Sequence, residues 1–328
     1  MSLTPLEELA ARLQRLPGLT GKVDIQHPAS VFPHQPFPQL GPAAALGDDA
    51  ALLPPQSGAL LLACEGLHPG LVERDPWFAG WCGVLVNLSD IAAMGGTPLA
   101  VVNSLWSRGG EPAEQLLSGM RAASETFAVP VVGGHTNLQS PYEALSVAVL
   151  GVAPGPILSA RSARPGDTCQ LLIHCQGGTM RRPDPFWDAA TAEDPARLRA
   201  QLALLPLIAA EGLAHAAKDI SMGGLIGTAA MLCEAAGCGL VLDLDAIKPP
   251  EGVELEEWIT CFPSFGFLLA SAPDQGQALR AVLEPHPELL CHPIGMFQEG
   301  QALELMRGDE RVIVRTAATA LTGFGALS

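Results

Sequence analysis

Hydrophobic and polar residues alternate with two different periods along the chain, and together they predict a mixed α and β protein. Apolar residues recur at helical spacing in three segments of the first half, which are predicted to be amphipathic helices: residues 4–16, 77–96 and 111–127. Short apolar runs bounded by glycine, proline or charge predict four strands there, at 59–63, 99–106, 129–136 and 144–152. The first half is therefore expected to be an α/β domain whose sheet carries helices on one face.

The second half repeats this mixture in a different order. Strands are predicted at 168–174, 240–244, 268–270, 294–297 and 311–314, and helices at 199–217, 219–236 and 275–283. Ser221 is the expected N-cap of the helix that follows Asp219, because a serine hydroxyl can accept from the free N–H groups of a first turn. Two prolines and a glycine at 154–156 interrupt the periodicity, so we predict two domains, residues 1–153 and 154–328, the second of the α+β class.

The composition narrows the class of protein. The chain has 328 residues, of which 48% are hydrophobic and 16% charged, so a globular fold with ample core is expected. The formal charge of −16 argues against nucleic-acid binding, because phosphate affinity rests on a basic surface. An acidic protein that binds anionic phosphates needs divalent cations to bridge the two.

Cysteine use and hydropathy indicate a cytoplasmic protein. The eight cysteines form no C-x-x-C pair and lie mostly in apolar runs, which is typical of buried free thiols in a reducing compartment. Residues 1–16 lack the cationic and then apolar order of a signal peptide, and no apolar run is long enough to span a bilayer. A soluble protein without a membrane partner is expected.

Several carboxylate and glycine-rich stretches carry the candidate chemistry. Asp48 and Asp49 are adjacent between apolar runs, and burying both without a metal or basic partner would be costly. Asp90 lies among small apolar residues within 87–97, a stretch that ends in a glycine pair. Glu65 and His68 follow a predicted buried strand, where they would face a ligand, although His68 also fits a surface position before a proline turn.

Five motifs in order resemble the aminoimidazole ribonucleotide (AIR) synthetase superfamily, which includes thiamine-monophosphate kinase, the hydrogenase-maturation carbamoyl dehydratase and selenophosphate synthetase. These motifs are Gly-Asp-Asp-Ala-Ala at 47–51, Asn-Leu-Ser-Asp-Ile-Ala-Ala-Met-Gly-Gly at 87–96, Gly-Gly-His-Thr at 133–136, Arg161 with Arg-Pro-Gly-Asp at 164–167, and Asp-Ile-Ser-Met-Gly-Gly-Leu at 219–225. The resemblance covers roughly residues 43–310. It implies a two-domain AIR synthetase-like fold and a homodimer whose N-terminal sheets join into a barrel. It also implies ATP and Mg²⁺ in the domain cleft.

The motifs are most similar to those of thiamine-monophosphate kinase, and the resemblance assigns roles residue by residue. It implies that Asp49, Asp90 and Asp219 bind Mg²⁺, with Asp48 adjacent. It implies ATP contacts for Arg161 and Ser221, a nucleotide turn at Gly133 and Gly134, and a place for Asn87 in the same nucleotide site. Asp90 and His135 are the catalytic candidates, although a structural histidine at 135 is equally compatible.

Three departures from the kinase bear on the metals and the acceptor. His135 stands where the kinase has aspartate, and neutral imidazole is a poor Mg²⁺ ligand. Met222 replaces a second aspartate, and Phe-Pro-Ser-Phe-Gly-Phe at 262–267 replaces the substrate motif. Glu65 either takes the place of a metal-binding aspartate, which we favour, or merely neighbours His68, which would then match a substrate contact.

We therefore expect an ATP- and Mg²⁺-dependent enzyme that activates an oxygen or phosphate of a small molecule by phosphoryl transfer, with the acceptor left open. The alternatives are thiamine-monophosphate kinase itself and a non-catalytic nucleotide-binding protein. The dehydratase branch is not expected because its C-terminal cysteine is missing from Phe-Gly-Ala-Leu-Ser at 324–328. Nor is the selenophosphate branch, because no cysteine precedes Cys64.

Overall fold

A computed structural model describes residues 3–20, 51–53 and 58–325. Its helices are α1 (Pro5–Leu13), α2 (Pro17–Thr20), α3 (Pro69–Arg74), α4 (Pro76–Ala93), α5 (Glu111–Phe127), α6 (Pro195–Leu202), α7 (Leu204–Ala210), α8 (Gly224–Ala236), α9 (Leu255–Thr260) and α10 (Gly276–Leu283). Its strands are β1 (Ala51–Leu53), β2 (Ala59–Gly66), β3 (Thr97–Trp106), β4 (Val131–Asn137), β5 (Ala144–Ala153), β6 (Thr168–His174), β7 (Thr179–Arg181), β8 (Phe186–Asp188), β9 (Ala216–Asp219), β10 (Gly239–Asp243), β11 (Phe262–Pro263), β12 (Gly266–Ser271), β13 (Leu289–Gln298), β14 (Leu303–Arg307) and β15 (Glu310–Arg315).

The described residues form two compact units. The first unit contains β1 to β5 and the segment Ala190–Leu207, and the second contains residues 3–20, Pro156–Ala189 and 208–325. The observed units therefore cross the predicted division into 1–153 and 154–328 twice, once at α1 and once at Ala190–Leu207.

The first unit is built on a five-stranded sheet in the order β1-β2-β5-β3-β4. Neighbouring strands are antiparallel except β3 and β4, which are parallel. Helix α4 packs on β2, β3 and β5, and α5 packs on α4. The predicted layer of helices on one face of this sheet is present.

Two glycines set the close crossing of α4 and α5. A Cβ atom on Gly80 would lie 2.0 Å from the Leu116 carbonyl oxygen, and one on Gly119 would lie 1.9 Å from the Trp77 carbonyl oxygen. Only residues without a side chain allow backbones to approach this closely. Asp75 caps α4 by accepting from the Phe78 N–H at 3.1 Å, so both the start of the helix and its crossing are fixed.

The second unit is built on a seven-stranded sheet in the order β15-β14-β10-β13-β6-β12-β9, with a small sheet β11-β8-β7 beside it. Helix α8 packs on one face and shares a buried core with the inward residues of β10 and β14. Helix α1 packs on β14 and β15, and its Arg12 forms a two-point ion pair with Glu256 of α9. This unit combines a mixed sheet with separate helices, as the α+β prediction requires.

Two local predictions in the second half are wrong. The helix predicted at 199–217 ends at Ala210, and Ala216 and Ala217 belong to β9, because pairing with β12 overrides the helical preference of alanine. Ser221 is not an N-cap: α8 begins at Gly224 after Gly223, and the Ser221 carbonyl instead accepts from the Gly224 N–H at 2.9 Å.

Within the described ranges, no helix combines the length and apolar character that a membrane crossing requires.

Candidate active site

Asp90 lies on α4 in the first unit and is 5% exposed. Its position depends on the next residue, Ile91, which is fully buried between the sheet and the end of the helix. A Cβ atom on Gly151 of β5 would lie 2.4 Å from Ile91 Cγ2, and one on Gly96 would lie 3.0 Å from the Ile91 carbonyl oxygen. Because the glycines leave no spare space around Ile91, this turn of the helix packs tightly against β5, which fixes the backbone position of Asp90.

Asn87 lies one turn before Asp90 and is completely buried. Its Nδ2 donates to the Gly83 carbonyl at 2.8 Å, while its Oδ1 accepts no hydrogen bond from the described residues. An unsatisfied buried acceptor costs about 1–3 kcal/mol, so a group that donates to it would stabilise the site. This is the pattern expected of a residue that contacts a ligand.

Strand register aligns further candidate residues beneath α4. Glu65 of β2 is opposite Val147 of β5, Val147 is opposite Asn103 of β3, and Asn103 is opposite Gly134 of β4. Residues in one such row share a face of the sheet. Val147 is fully buried on the face that α4 covers, so Glu65, Asn103 and Gly134 lie on the face that also receives the helix of Asp90.

Asn103 was not predicted from the sequence, yet it is the polar residue most closely tied to the glycine motif. It is 9% exposed, its Nδ2 has no hydrogen-bond partner among the described residues, and a Cβ atom on Gly134 would lie 2.3 Å from its Oδ1. Gly134 also has φ of 151°, so two constraints require glycine there. A usable signal exists in the sequence, because Asn103 interrupts the inward-facing series of Val101 and Leu105.

His135 lies on the opposite face of the same sheet. It is opposite Ser104, and its ring centroid lies 6.3 Å from that of Trp106, which shares the parity of Ser104 on β3. His135 is exposed. The structure therefore does not bring the two catalytic candidates, Asp90 and His135, onto one face.

His68 precedes α3 and is exposed. A Cβ atom on Gly70 would lie 3.0 Å from His68 Cε1 and 2.8 Å from Arg74 Nη1, so the imidazole and the guanidinium both lie over this glycine. Glu65 is also exposed, at the end of β2. This arrangement keeps both sequence alternatives open, a carboxylate for a metal and a histidine for a substrate.

In the second unit, Asp219 ends β9 and is 5% exposed. The buried Thr228 hydroxyl donates to the Asp219 carbonyl at 3.2 Å and accepts from the Ser221 N–H at 3.3 Å. Gly223 and Gly224 have φ of 93° and 61°, which lets the chain turn sharply into α8. Thr228, which the sequence did not single out, thus fixes the loop that carries Asp219 and Ser221.

Arg161, the predicted ATP contact, has partners in the C-terminal segment. Its Nη1 donates to the Gly325 carbonyl at 3.0 Å and its Nη2 to the Phe324 carbonyl at 3.3 Å. The Glu234 carboxylate holds the same segment by accepting from the N–H groups of residues 321 and 322 at 2.8 and 2.7 Å. Nη1 and Nη2 of Arg161 therefore both donate to the C-terminal segment.

The predicted metal ligands are not gathered in the described part of the chain. There, no group of three or more histidine, cysteine, aspartate or glutamate side chains could hold a metal ion. Asp48 and Asp49 lie outside the described residues, and for Gly133 only the backbone is described. The donors that are described, Asp90 and Asp219, are carboxylates, which suit Mg²⁺.

All eight cysteines are free thiols. Burial raises the pKa of Cys261 and of Cys291 to about 12, and that of Cys238 to about 11. A thiol must ionise to act as a nucleophile, so these three are structural.

Comparison with known proteins identifies the fold. A family model described as "AIR synthase related protein, N-terminal domain" matches residues 47–153. The model of the corresponding C-terminal domain matches residues 172–308. AaThiL complexed with AMPPCP and TMP superposes with a TM-score of 0.61 at 22% identity, over 81% of this chain and 89% of that chain. T. maritima PurL complexed with ATP superposes with a TM-score of 0.67 at 18% identity, over 81% of this chain and 45% of that chain.

These likenesses confirm the two-domain AIR synthetase-like fold. At such identities they establish the fold alone, and the chain spans about half of the length of the PurL chains it matches. The barrel formed by two copies stays a prediction.

Sequence relatives narrow the class to a family. An uncharacterized protein of Synechocystis sp. is 45% identical over 320 residues, which is 97% of this chain and 98% of the relative. Thiamine-monophosphate kinase of Synechococcus elongatus is 26% identical over 299 residues, 83% of this chain and 90% of that enzyme. The chain belongs to the AIR synthase-related family.

Proposed function

We propose that this protein is an ATP- and Mg²⁺-dependent enzyme that activates an oxygen or phosphate of a small molecule by phosphoryl transfer. The observation that carries the proposal is Asp90, a buried carboxylate whose helix is locked by Ile91 against Gly96 and Gly151. Carboxylate oxygens are ligands that Mg²⁺ prefers, so a carboxylate at a fixed point suits a metal-bound phosphate. The kinase relative and the structural neighbours complexed with ATP or AMPPCP support the same proposal.

The donor chemistry fits a hard divalent cation. Asp49, Asp90 and Asp219 would hold Mg²⁺ through carboxylate oxygens, with Asp48 and Glu65 as further ligands. When bound, the cation neutralises charge on the phosphate oxygens during phosphoryl transfer. The chain's own residues do the positioning.

Most of the residues proposed to contact the nucleotide supply neutral hydrogen-bond donors. Gly133 and Gly134 offer backbone N–H groups, and Asn103 offers a carboxamide N–H that no described residue uses. Ser221 adds a hydroxyl on the loop fixed by Thr228. Arg161 would add a charged guanidinium, which in this structure donates to the Gly325 and Phe324 carbonyls.

The acceptor site is proposed less specifically. His68 and Arg74 lie together over Gly70, which favours an acceptor that carries an anionic group. His135 lies beside Trp106 on the opposite sheet face, so it would act in catalysis only on an acceptor that reaches that face.

A non-catalytic nucleotide-binding protein is the second candidate. The observation that favours it is the engagement of Arg161 with the carbonyls of Phe324 and Gly325. Thiamine-monophosphate kinase is the third candidate, supported by the relatives of that name.

A homodimer is proposed from the face of the five-stranded sheet that faces away from α4. Leu62, Val102 and Leu150 there are 47%, 41% and 38% exposed, and Leu62 is opposite Leu150 in the register. A second copy of the same face would bury this apolar row. Sedimentation should give twice the chain mass, and Leu150→Lys should give the single mass. A monomeric wild type would refute the dimer.

Isothermal titration calorimetry with AMPPCP, with and without millimolar Mg²⁺, tests the main proposal. We expect saturable binding that requires Mg²⁺ and is lost in Asp90→Asn, while Asp274→Asn, at an exposed position, binds normally. Absence of binding to the wild type would overturn the proposal. Binding without ADP release over a panel of phosphate and carboxylate acceptors would favour the non-catalytic candidate, and thiamine diphosphate formation would favour the kinase.

A further inference from the structure

A second candidate site lies on the outer face of the seven-stranded sheet. Leu240, Leu242, Leu303 and Leu305 alternate inward to the core shared with α8. The residues between them face the other way, and α10 packs on β13 without closing this end of the sheet. The open part is a groove of about 500 Å³ whose lining includes Val241, Asp243, Met296, Met306 and Arg311.

Opposite charges stand at the two ends of one row across this groove. Asp243 of β10 is opposite Met306 of β14, and Met306 is opposite Arg311 of β15. Adjacent strands are separated by about 4.8 Å, so the Cα atoms of Asp243 and Arg311 are about 10 Å apart. A methionine therefore lies between an anion and a cation on one sheet face.

Neither charge is neutralised by its neighbours. Among the described residues, Asp243 and Arg311 form no ion pair, although Asp243 Oδ1 accepts from the Asp245 N–H at 2.9 Å. The nearby ionisable groups are engaged elsewhere: Asp245 accepts from the Gly308 N–H at 3.0 Å and faces Arg307, and Glu304 accepts from Gln298 Nε2 at 2.7 Å. The carboxylate of Asp243 and the guanidinium of Arg311 are therefore available to bind a ligand.

The groove continues past Asp243 over β13, where its floor is apolar and adaptable. Val241 is opposite Met296 in the register, and Met296 is 56% exposed. Methionine side chains adjust to irregular ligands, because they are unbranched and polarizable. The volume falls within the range of about 300–1,000 Å³ that is typical of small-molecule sites.

We propose that this Asp243–Arg311 groove binds a dipolar small molecule, with an ammonium group on Asp243, a carboxylate on Arg311 and an apolar chain of about five methylenes over Met306. A ligand of one charge would leave the other end unpaired, whereas a dipolar ligand complements both ends. The groove is a separate site from the proposed nucleotide contacts. Asp219 lies on β9, at the opposite edge of the sheet, and β13, β6 and β12 separate it from the strand of Asp243.

Calorimetry with 6-aminohexanoate tests the groove, with hexanoate and hexylamine as probes that each lack one charge. We expect saturable binding of 6-aminohexanoate and at least about tenfold weaker binding of the other two, because each loses a charge-assisted contact. Asp243→Asn and Arg311→Gln should each weaken 6-aminohexanoate binding by about tenfold or more. Arg307→Gln, next to Met306 but outside the groove lining, should bind like the wild type.

The proposal fails if 6-aminohexanoate does not saturate the wild type, if the three probes bind equally, or if Asp243→Asn and Arg311→Gln bind like the wild type. Circular dichroism and thermal unfolding of each variant separate a lost contact from a lost fold. Since AMPPCP is absent from the titration, failure of the nucleotide proposal leaves this result unaffected.

Discussion

Asp90 and Asp219 are both buried to the same extent, but the two units hold them in different ways. Asp90 stands near the end of a helix, and this end is positioned by packing, with Ile91 against Gly96 and Gly151. Asp219 ends an edge strand, and its loop is positioned by the Thr228 hydroxyl. Packing tolerates almost no change in volume, whereas a hydrogen-bonded loop tolerates volume but not the loss of a donor or acceptor.

This difference predicts which kind of substitution disturbs each unit. In the first unit a single added methyl group near α4 is expected to disturb the fold before it disturbs the chemistry. In the second unit a lost hydroxyl or carboxylate is expected to disturb the site while the sheet stays intact. In the second unit, a substitution should therefore weaken ligand binding without a large loss of stability, whereas in the first unit the two effects should occur together.

The largest effect is expected at the crossing of α4 and α5. Gly80→Val would place a side chain against the Leu116 carbonyl oxygen, because a Cβ atom on residue 80 would lie only 2.0 Å from it. This variant should destabilise the protein by about 3 kcal/mol or more. Urea unfolding measures the change. Gly66→Ala is the matched control, because a Cβ atom there meets nothing within 4 Å. Equal stability of the two variants would show that α4 is not locked by packing.

An intermediate effect is expected at Glu234, which holds the terminal segment. Glu234→Gln removes the charge that accepts from the N–H groups of Leu321 and Thr322, and it should cost about 2 kcal/mol. Limited proteolysis should then cut the terminal segment faster, and Arg161 should be released. The control is Glu211→Gln at an exposed position. If the terminal segment of Glu234→Gln is cut at the wild-type rate, the Glu234 carboxylate does not hold that segment in place.

The smallest effect on stability is expected at Thr228. Thr228→Val keeps the shape but leaves the Ser221 N–H without its acceptor, so it should cost about 1 kcal/mol. Its effect on AMPPCP binding should exceed that of Thr228→Ser, which keeps the hydroxyl. Wild-type binding by Thr228→Val would show that this hydroxyl does not position Ser221 for the nucleotide.

The sequence predicted the fold well where periodicity and motif order coincide. The helix at 111–127 and the strand at 168–174 are confirmed to the residue, because amphipathic spacing and bounding glycines or prolines agree there. The helix predicted at 199–217 is wrong at its end, since buried alanines carry little sign of strand pairing.

The site was less predictable because its details depend on tertiary contacts. Asn103 interrupts an apolar alternation that the sequence shows, but its place beside Gly134 depends on strand register, and the contact of Thr228 with the Asp219 loop does not show in local spacing. The partners of Arg161 are about 160 residues away in the chain, which no motif records. The face of His135 depends on a register shift between Val101 and Val102, so alternation alone would have placed it wrongly.

The most direct test of the central claim is a double-mutant cycle on AMPPCP binding in Mg²⁺, with Asp90→Asn, Asp219→Asn and both together. If both carboxylates serve one metal-bound nucleotide, each single change should weaken binding by at least about tenfold, and the double variant should bind little worse than either. Additive losses, or wild-type affinity in either single variant, would contradict a shared nucleotide site.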